Sequence, residues 1–135
     1  MISPAEVLRQ NKLKRTSCRK GIIEVMLVGR HAMSEQEIRE QLKGNYDRTT
    51  FYRSFKTLEE NKILHKIVVD PTIVRYAIDP EVFSNPVHAH FYCEHCKQVL
   101  CLESVPVAKP ALPEGFAATA SELIIKGICK ECHQS

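Results

Sequence analysis

Apolar positions recur at helical spacing through the first half of the chain and give way to short β-branched runs afterwards. Ser3-Pro4 opens a short helix, with serine as cap and proline in the first turn, that carries Val7 and Leu8 inward. Leu13 to Ser17 reads as a linker into a second helix capped by Thr16 or Ser17. Its apolar stripe is Ile22, Ile23, Met26 and Leu27, and Gly29 ends it. Ser34-Glu35-Gln36-Glu37 matches a capping box, because Ser34 can accept from the Glu37 amide while Glu37 reaches back. Ile38 and Leu42 face inward from that third helix, and Gly44 stops it.

Asp47 can cap a fourth helix running to about Asn61, whose two faces differ sharply. Phe51, Phe55 and Leu58 form the apolar stripe. Thr49, Arg53 and Lys56 lie opposite, with Tyr52 at the flank. The runs Ile63 to Val69 and Ile73 to Ile78, joined by Asp70-Pro71-Thr72, predict a hairpin. The second, third and fourth helices followed by a hairpin match the winged-helix arrangement, a helix-turn-helix variant in which the fourth helix would be the recognition helix; by its own residues it reads equally as an ordinary amphipathic surface helix. The prolines of Asp79 to Pro86 place a boundary, giving a winged-helix unit over 1–79, a hinge over 80–87 and a second unit over 88–135. Strands are predicted there at Val87–Tyr92, Val99–Glu103 and Phe116–Ile128, with a proline-rich connection that excludes a helix between the last two. A unit that small needs support from a metal or from oligomer contacts.

The composition narrows the partners. The formal net charge of +3 is unevenly spread: residues 1–79 hold fifteen Lys/Arg against ten Asp/Glu, a balance of +5, and residues 80–135 hold four against six, a balance of −2. The first part is therefore the candidate for a polyanion, although charge runs are also common on plain solvated faces. No stretch has the length and apolarity of a membrane span, and residues 1–20 lack the apolar core of a signal peptide, so a cytoplasmic protein is expected.

In a reducing compartment, six cysteines point to metal ligands before disulfides. Cys93-Glu94-His95-Cys96 and Cys129-Lys130-Glu131-Cys132 are two Cys-x-x-Cys knuckles, which together supply the four thiolates of a closed tetrahedral zinc site. A redox pair needs only one such motif beside a βαβ pattern, and a deaminase needs His-x-Glu ahead of Pro-Cys-x-x-Cys; neither pattern is present. With no nucleophile–base pair and no open three-ligand site, an enzyme is not expected.

Several motifs together resemble the ferric uptake regulator family of bacterial metal-responsive repressors. Leu13 to Arg19 is similar to the family's Leu-x-x-Thr-x-x-Arg entry, Thr50-Phe51-Tyr52-Arg53 to its recognition-helix signature, and Arg75-Tyr76 to its wing. His88-Ala89-His90-Phe91-Tyr92-Cys93 and Gly127-Ile128-Cys129-Lys130-Glu131-Cys132 resemble its two cysteine motifs. The resemblance implies an α+β fold: an N-terminal winged helix-turn-helix followed by a small, mostly β dimerisation domain with a four-cysteine zinc site, one zinc per chain. It also implies a homodimer that represses transcription from a palindromic DNA operator. Tyr52 and Arg53 then enter the major groove, Arg19 grips phosphate, and Lys14 or Arg15 approaches the minor groove, with Thr49 and Lys56 on the same helix face.

The departures concern sensing. The family's regulatory site has a glutamate after the wing tyrosine, an acidic residue after the first knuckle and a late histidine; here Ala77, Cys101 and Ser121 stand in those places. The expected set for a second divalent metal is thus His88, His90 and Cys101, with His31 closing it from the first unit. His95 and His133 are poorer candidates, being committed to the knuckles. Two alternatives stay open: a repressor of this type that has lost metal sensing, and a zinc-stabilised winged-helix module that binds protein.

Overall fold

The computed structural model describes residues 3–29, 31–78, 89–102, 105, 111–118 and 121–134. Four helices come first. α1 (Pro4–Gln10) takes Ser3 as its N-cap and buries Val7 and Leu8 completely. α2 (Ser17–Val28) is capped by the Thr16 hydroxyl, which accepts from the Arg19 amide. α3 (Glu35–Gln41) begins with the full reciprocal capping box between Ser34 and Glu37 and ends slightly before Gly44, whose φ of 105° lies where glycine is favoured. α4 (Arg48–Glu60) starts at Asp47, whose carboxylate accepts from the Thr50 amide at 3.0 Å. Satisfying these otherwise orphaned amides fixes where each helix begins.

The helices meet on the predicted stripes. Ile22, Ile23, Met26, Ile38, Phe51, Phe55 and Leu58 are all buried in one cluster, joined by Cys18 and by Tyr76 from the hairpin. Phe55 packs edge-on to Tyr76 with centroids 4.8 Å apart, a favoured aromatic geometry that ties α4 to the hairpin. That hairpin is β2 (Leu64–Asp70) paired antiparallel with β3 (Ile73–Ile78). Its turn is held by the Asp70 carboxylate, which accepts from the amides of Thr72 and Ile73.

A short strand not foreseen in the sequence, β1 (His31–Ala32), lies between α2 and α3. Two residues are too few to show a period, so its pairing partners define it. One edge joins the second half of the chain, where β4 (Ala89–Cys93), β5 (Val99–Leu102) and β6 (Leu123–Gly127) complete a four-stranded sheet in the order β1-β5-β4-β6. Next to it, Met33 bridges Tyr76 of β3 through amide–carbonyl bonds of 2.9 and 2.7 Å. The segment His31–Met33 is therefore the seam between hairpin and sheet. Ile67 and Ala77 of the hairpin pack on Ala32, Tyr92 and Val99 of the sheet as a second core cluster.

β6 is shorter than the predicted run from Phe116. Phe116 to Ala118 are exposed and irregular, because apolar, β-branched composition marks a strand only where a partner edge is available. The expected hinge at 80–87 and His88 lie outside the described residues.

Candidate metal centre and nucleic-acid face

The two cysteine knuckles are assembled by strand pairing. β4 and β6 run parallel in a register that sets Cys93 opposite Gly127, so both chains leave the sheet at the same end and turn into their knuckles together. After Cys93 the chain makes a tight turn in which the Lys97 amide donates to the Cys93 carbonyl at 2.8 Å, with Lys97 itself at a φ of 67°. After Gly127, Cys129 caps α5 (Lys130–His133), a single turn that carries Cys132 back toward the first knuckle. A side chain at Gly127 is disfavoured because its Cβ would stand 3.2 Å from Cζ of Phe91.

All four sulfurs of Cys93, Cys96, Cys129 and Cys132 lie within 4.8 Å of one another, with Cys96 and Cys129 at 3.9 Å. A tetrahedral zinc with bonds of about 2.3 Å spaces its sulfurs about 3.8 Å apart, so the cluster fits that ion. Cys93 is buried and Cys96 exposed. Burial pushes the Cys93 thiol up, but the backbone amides of Cys96, Cys129 and His95 outweigh it and bring the group down to about 6. The amides of Cys96 and Cys129 both donate to its sulfur at 3.4 Å. Cys132 is pushed the other way, up to about 12, first by its hydrogen bond with Cys129 and then by burial. Cys93 is thus already a thiolate near neutral pH, while Cys132 keeps its proton until a metal displaces it.

The sequence profile of the ferric uptake regulator family matches residues 10–114. The chain belongs to that family. It is 26% identical over 134 residues to the ferric uptake regulation protein of Staphylococcus epidermidis, covering 96% of this chain and 93% of the relative. Among solved structures, the Helicobacter pylori ferric uptake regulator, described as having three functional metal binding sites, aligns at a TM-score of 0.62 with 20% identity, covering 97% of this chain and 89% of its own. A zinc uptake regulator complexed with zinc and DNA aligns at 0.65 with 21% identity, covering 96% and 90%. At these identities the structures establish the shared fold. The family is one of transcription regulators, and the chain is a regulator rather than an enzyme. Among the described residues, no helix is long and apolar enough to cross a membrane.

The other predicted site residues fall into two places. On α4, Thr49, Tyr52, Arg53 and Lys56 are exposed on the face away from Phe51 and Phe55, with Lys56 in a surface ion pair to Glu60 at 3.8 Å. Lys14 and Arg15 are exposed just ahead of α2, and Arg19 donates to the Lys14 carbonyl at 3.2 Å. Arg19 and Arg53 meet at one cleft of about 230 Å³, lined also by Thr16, Ser17, Tyr46 and Thr50, where the start of α2 opens beside α4. Sequence reasoning missed Tyr46, since a lone aromatic in a loop gives no periodic signal.

In the sheet, His90 and Cys101 are brought together: they are paired across β4 and β5, with Sγ 3.6 Å from Nδ1. His31 is not brought to them. It pairs with Leu100, one position from Cys101, so strand alternation puts it on the opposite face, where it meets Glu37 at 3.6 Å. His65 stacks on His90, and Glu122 in turn contacts His65; the family pattern gave no reason to select either.

Proposed function

We propose that this protein is a metal-dependent transcriptional repressor that binds a palindromic DNA operator as a homodimer, with a structural zinc on Cys93, Cys96, Cys129 and Cys132. The observation that carries it is the joint placement of Arg19 and Arg53 at one cleft beside the exposed face of α4. A guanidinium at a helix start can hold a backbone phosphate while the second reaches base edges from the groove. In this reading residues 1–79 form the winged-helix unit and α4 is its recognition helix. Tyr52 and Arg53 lie in the major groove with Thr49 and Lys56 beside them, Arg19 grips phosphate, and Lys14 or Arg15 approaches the minor groove.

Residues 88–135 are the dimerisation unit in this reading. β6 is an edge strand with exposed Leu123 and Ile125, followed by exposed Ile128, an apolar edge suited to burial against a second copy. His90 and Cys101 form the nucleus of the regulatory metal site, to which His88 also belongs. Such a site acts by binding one arrangement of the wing and sheet better than others.

Titration of the zinc-loaded protein against a pool of random duplexes, followed by sequencing of the retained DNA, tests the reading. A palindromic motif and a steep fall of affinity with salt are expected, because phosphate contacts release counterions. Absence of any salt-dependent DNA binding would leave the protein-binding alternative.

A further inference from the structure

The cleft between the start of α2 and α4 has walls that carry cations and hydroxyls but no carboxylate. One of its wall residues, Ser54, is out of keeping with its surroundings. It lies on the buried side of α4 with Phe51, Phe55 and Leu58 and is only 8% exposed, yet its hydroxyl has no hydrogen-bond partner among the described residues. Thr57 on the same helix returns its hydroxyl to the Arg53 carbonyl at 2.9 Å, and Ser54 makes no such bond. The hydroxyl is not sealed from solvent either, and the opening it has is onto the cleft. A nearly buried polar group left unpaired costs stability and calls for an ion, a water or a ligand to complete it.

The opposite wall is rich in donors. The Thr16 hydroxyl caps α2 by accepting from the Arg19 amide, which leaves the amides of Ser17 and Cys18 without a partner inside the helix. No acidic residue stands in that first turn, so the positive end of the helix dipole is uncompensated. Arg19 spends one guanidinium N–H on the Lys14 carbonyl and keeps the rest of its fork. Tyr46 closes the cleft from the loop before α4. Its ring packs on the helical core and lies against Gly44, where a Cβ would stand 3.0 Å from Cε2. Gly44 has a φ of 105°, so this turn sets the ring and with it the hydroxyl. Asp47, the next residue after Tyr46, gives its carboxylate to the Thr50 amide at 3.0 Å and is not part of the walls.

We propose that this cleft is a seat for one phosphate group, held by Arg19, the Ser17 and Cys18 amides and the hydroxyls of Tyr46 and Ser54. Each of these groups can donate a hydrogen bond, and the anion brings the negative charge that the walls lack. A phosphodiester of a DNA backbone and free inorganic phosphate share the chemistry the seat recognises. Occupancy by DNA rests on the reading of the chain as a DNA-binding regulator; the seat adds Tyr46 and Ser54 to that reading and makes free phosphate a competitor for DNA. Arg53 stands on the α4 side of the same cleft, so a backbone phosphate seated there fixes how far Arg53 lies from the DNA strand it reads. Phosphate should consequently weaken DNA binding by more than its ionic strength accounts for.

The test uses the zinc-loaded full chain and inorganic phosphate, with sodium chloride adjusted to hold the ionic strength constant. Amide NMR during the titration is expected to show saturable shifts at Ser17, Cys18 and Arg19 that chloride alone does not produce. Tyr46→Phe and Ser54→Ala each delete only a hydroxyl and should weaken phosphate binding about three- to tenfold without lowering the melting temperature. Arg39→Ala, on α3 and outside the cleft, should leave the affinity unchanged. Shifts that fail to saturate or that chloride reproduces, or variants that bind phosphate as well as the wild type, overturn the seat. A second arm measures a random duplex at fixed ionic strength while phosphate replaces chloride. Phosphate should compete with DNA in the wild type, and less so in Tyr46→Phe/Ser54→Ala. A seat that binds phosphate while DNA binding ignores it upholds the free anion as ligand and removes the DNA backbone as occupant. Phosphate binding by a chain that binds no DNA upholds the seat and sinks the DNA-binding reading. DNA binding without phosphate binding at Ser17 and Cys18 does the reverse.

Discussion

Cys93 and Gly127 face one another at the ends of two parallel strands, and that single register decides where four sulfurs meet. The absence of a side chain at Gly127 allows the ring of Phe91 to lie over it. A methyl group there would sit 3.2 Å from Phe91 Cζ, a contact that the ring must relieve by shifting. Gly127→Ala is therefore expected to destabilise the protein by about 1–3 kcal/mol, the usual cost of overpacking. Phe91→Leu in the same chain should recover part of that loss. A urea-unfolding double-mutant cycle measures the coupling, and strictly additive effects would show that the close approach does not matter.

Metal loading of the cysteine quartet should release protons, and their number is informative. In the metal-free protein Cys93 has a thiol lowered to about 6, so at pH 7.5 it is mostly thiolate before any metal arrives, whereas Cys132, raised to about 12, is fully protonated. Zinc binding at that pH should accordingly release fewer than four protons from the four ligands. Calorimetry in buffers of different ionisation enthalpy reads the number directly. Release of all four would contradict a prepared thiolate at Cys93. Lowering the pH should loosen the metal, since protons then compete for every sulfur.

The cap of α4 carries its own pH signature. Hydrogen bonds from the Thr50 side chain and backbone hold the Asp47 carboxyl below its ordinary 3.8. A lowered folded value means that the contribution is fully present above the unfolded value of about 3.9 and is lost as the pH falls through the folded one. Asp47→Asn keeps an acceptor without a charge. It should remove that acid-range dependence, while Asp47→Ala should lower the melting temperature at neutral pH as well. Identical acid-melting curves for wild type and Asp47→Asn would contradict the assignment.

Much of this fold is legible in the sequence because its signals are local. Ser3, Thr16, Ser34 and Asp47 each satisfy an amide within one turn, so a reader of the chain can place four helix starts. The cysteine quartet is legible because paired knuckles state both the ligand number and the chemistry. What sequence spacing cannot reveal is pairing between distant segments. His31–Ala32 becomes a strand only through Val99 and Leu100, and that pairing turns His31 away from His90. His65 and Glu122 come together across 57 positions (122 − 65), through a hairpin folded onto a sheet, and no periodicity in either segment announces it.

The seating of the hairpin on the sheet depends on a small apolar contact. Ile67 is fully buried between Tyr92, Val99 and the hairpin's own neighbours. Ile67→Ala should cost about 2–5 kcal/mol through lost burial and the cavity left behind. It should also raise hydrogen exchange in β2 and β3 above that in α1 and α2, whose core, centred on Ile22 and Phe51, is a separate cluster. Uniformly raised exchange would mean that the two clusters unfold as one.

Arg19 and Arg53 share a cleft but should fail differently. Arg53 projects from the exposed face of α4, where a guanidinium can pair with base edges, so Arg53→Ala should cost about 1–3 kcal/mol of discrimination between operator and random DNA. Arg19 sits at the start of α2 with its guanidinium bonded to the Lys14 carbonyl, rather than on the exposed face of α4. Arg19→Ala should therefore weaken operator and random DNA alike and reduce the salt slope by about one, the signature of a lost phosphate contact. Fluorescence-anisotropy titrations of both variants at several salt concentrations give the four affinities needed. Equal losses on the two DNAs for Arg53→Ala would remove it from base readout, and a loss of sequence preference in Arg19→Ala would exchange the two roles. Tyr52→Phe, which deletes only a hydroxyl on the same face, then distinguishes hydrogen bonding from ring contact: an unchanged affinity assigns the role to the ring.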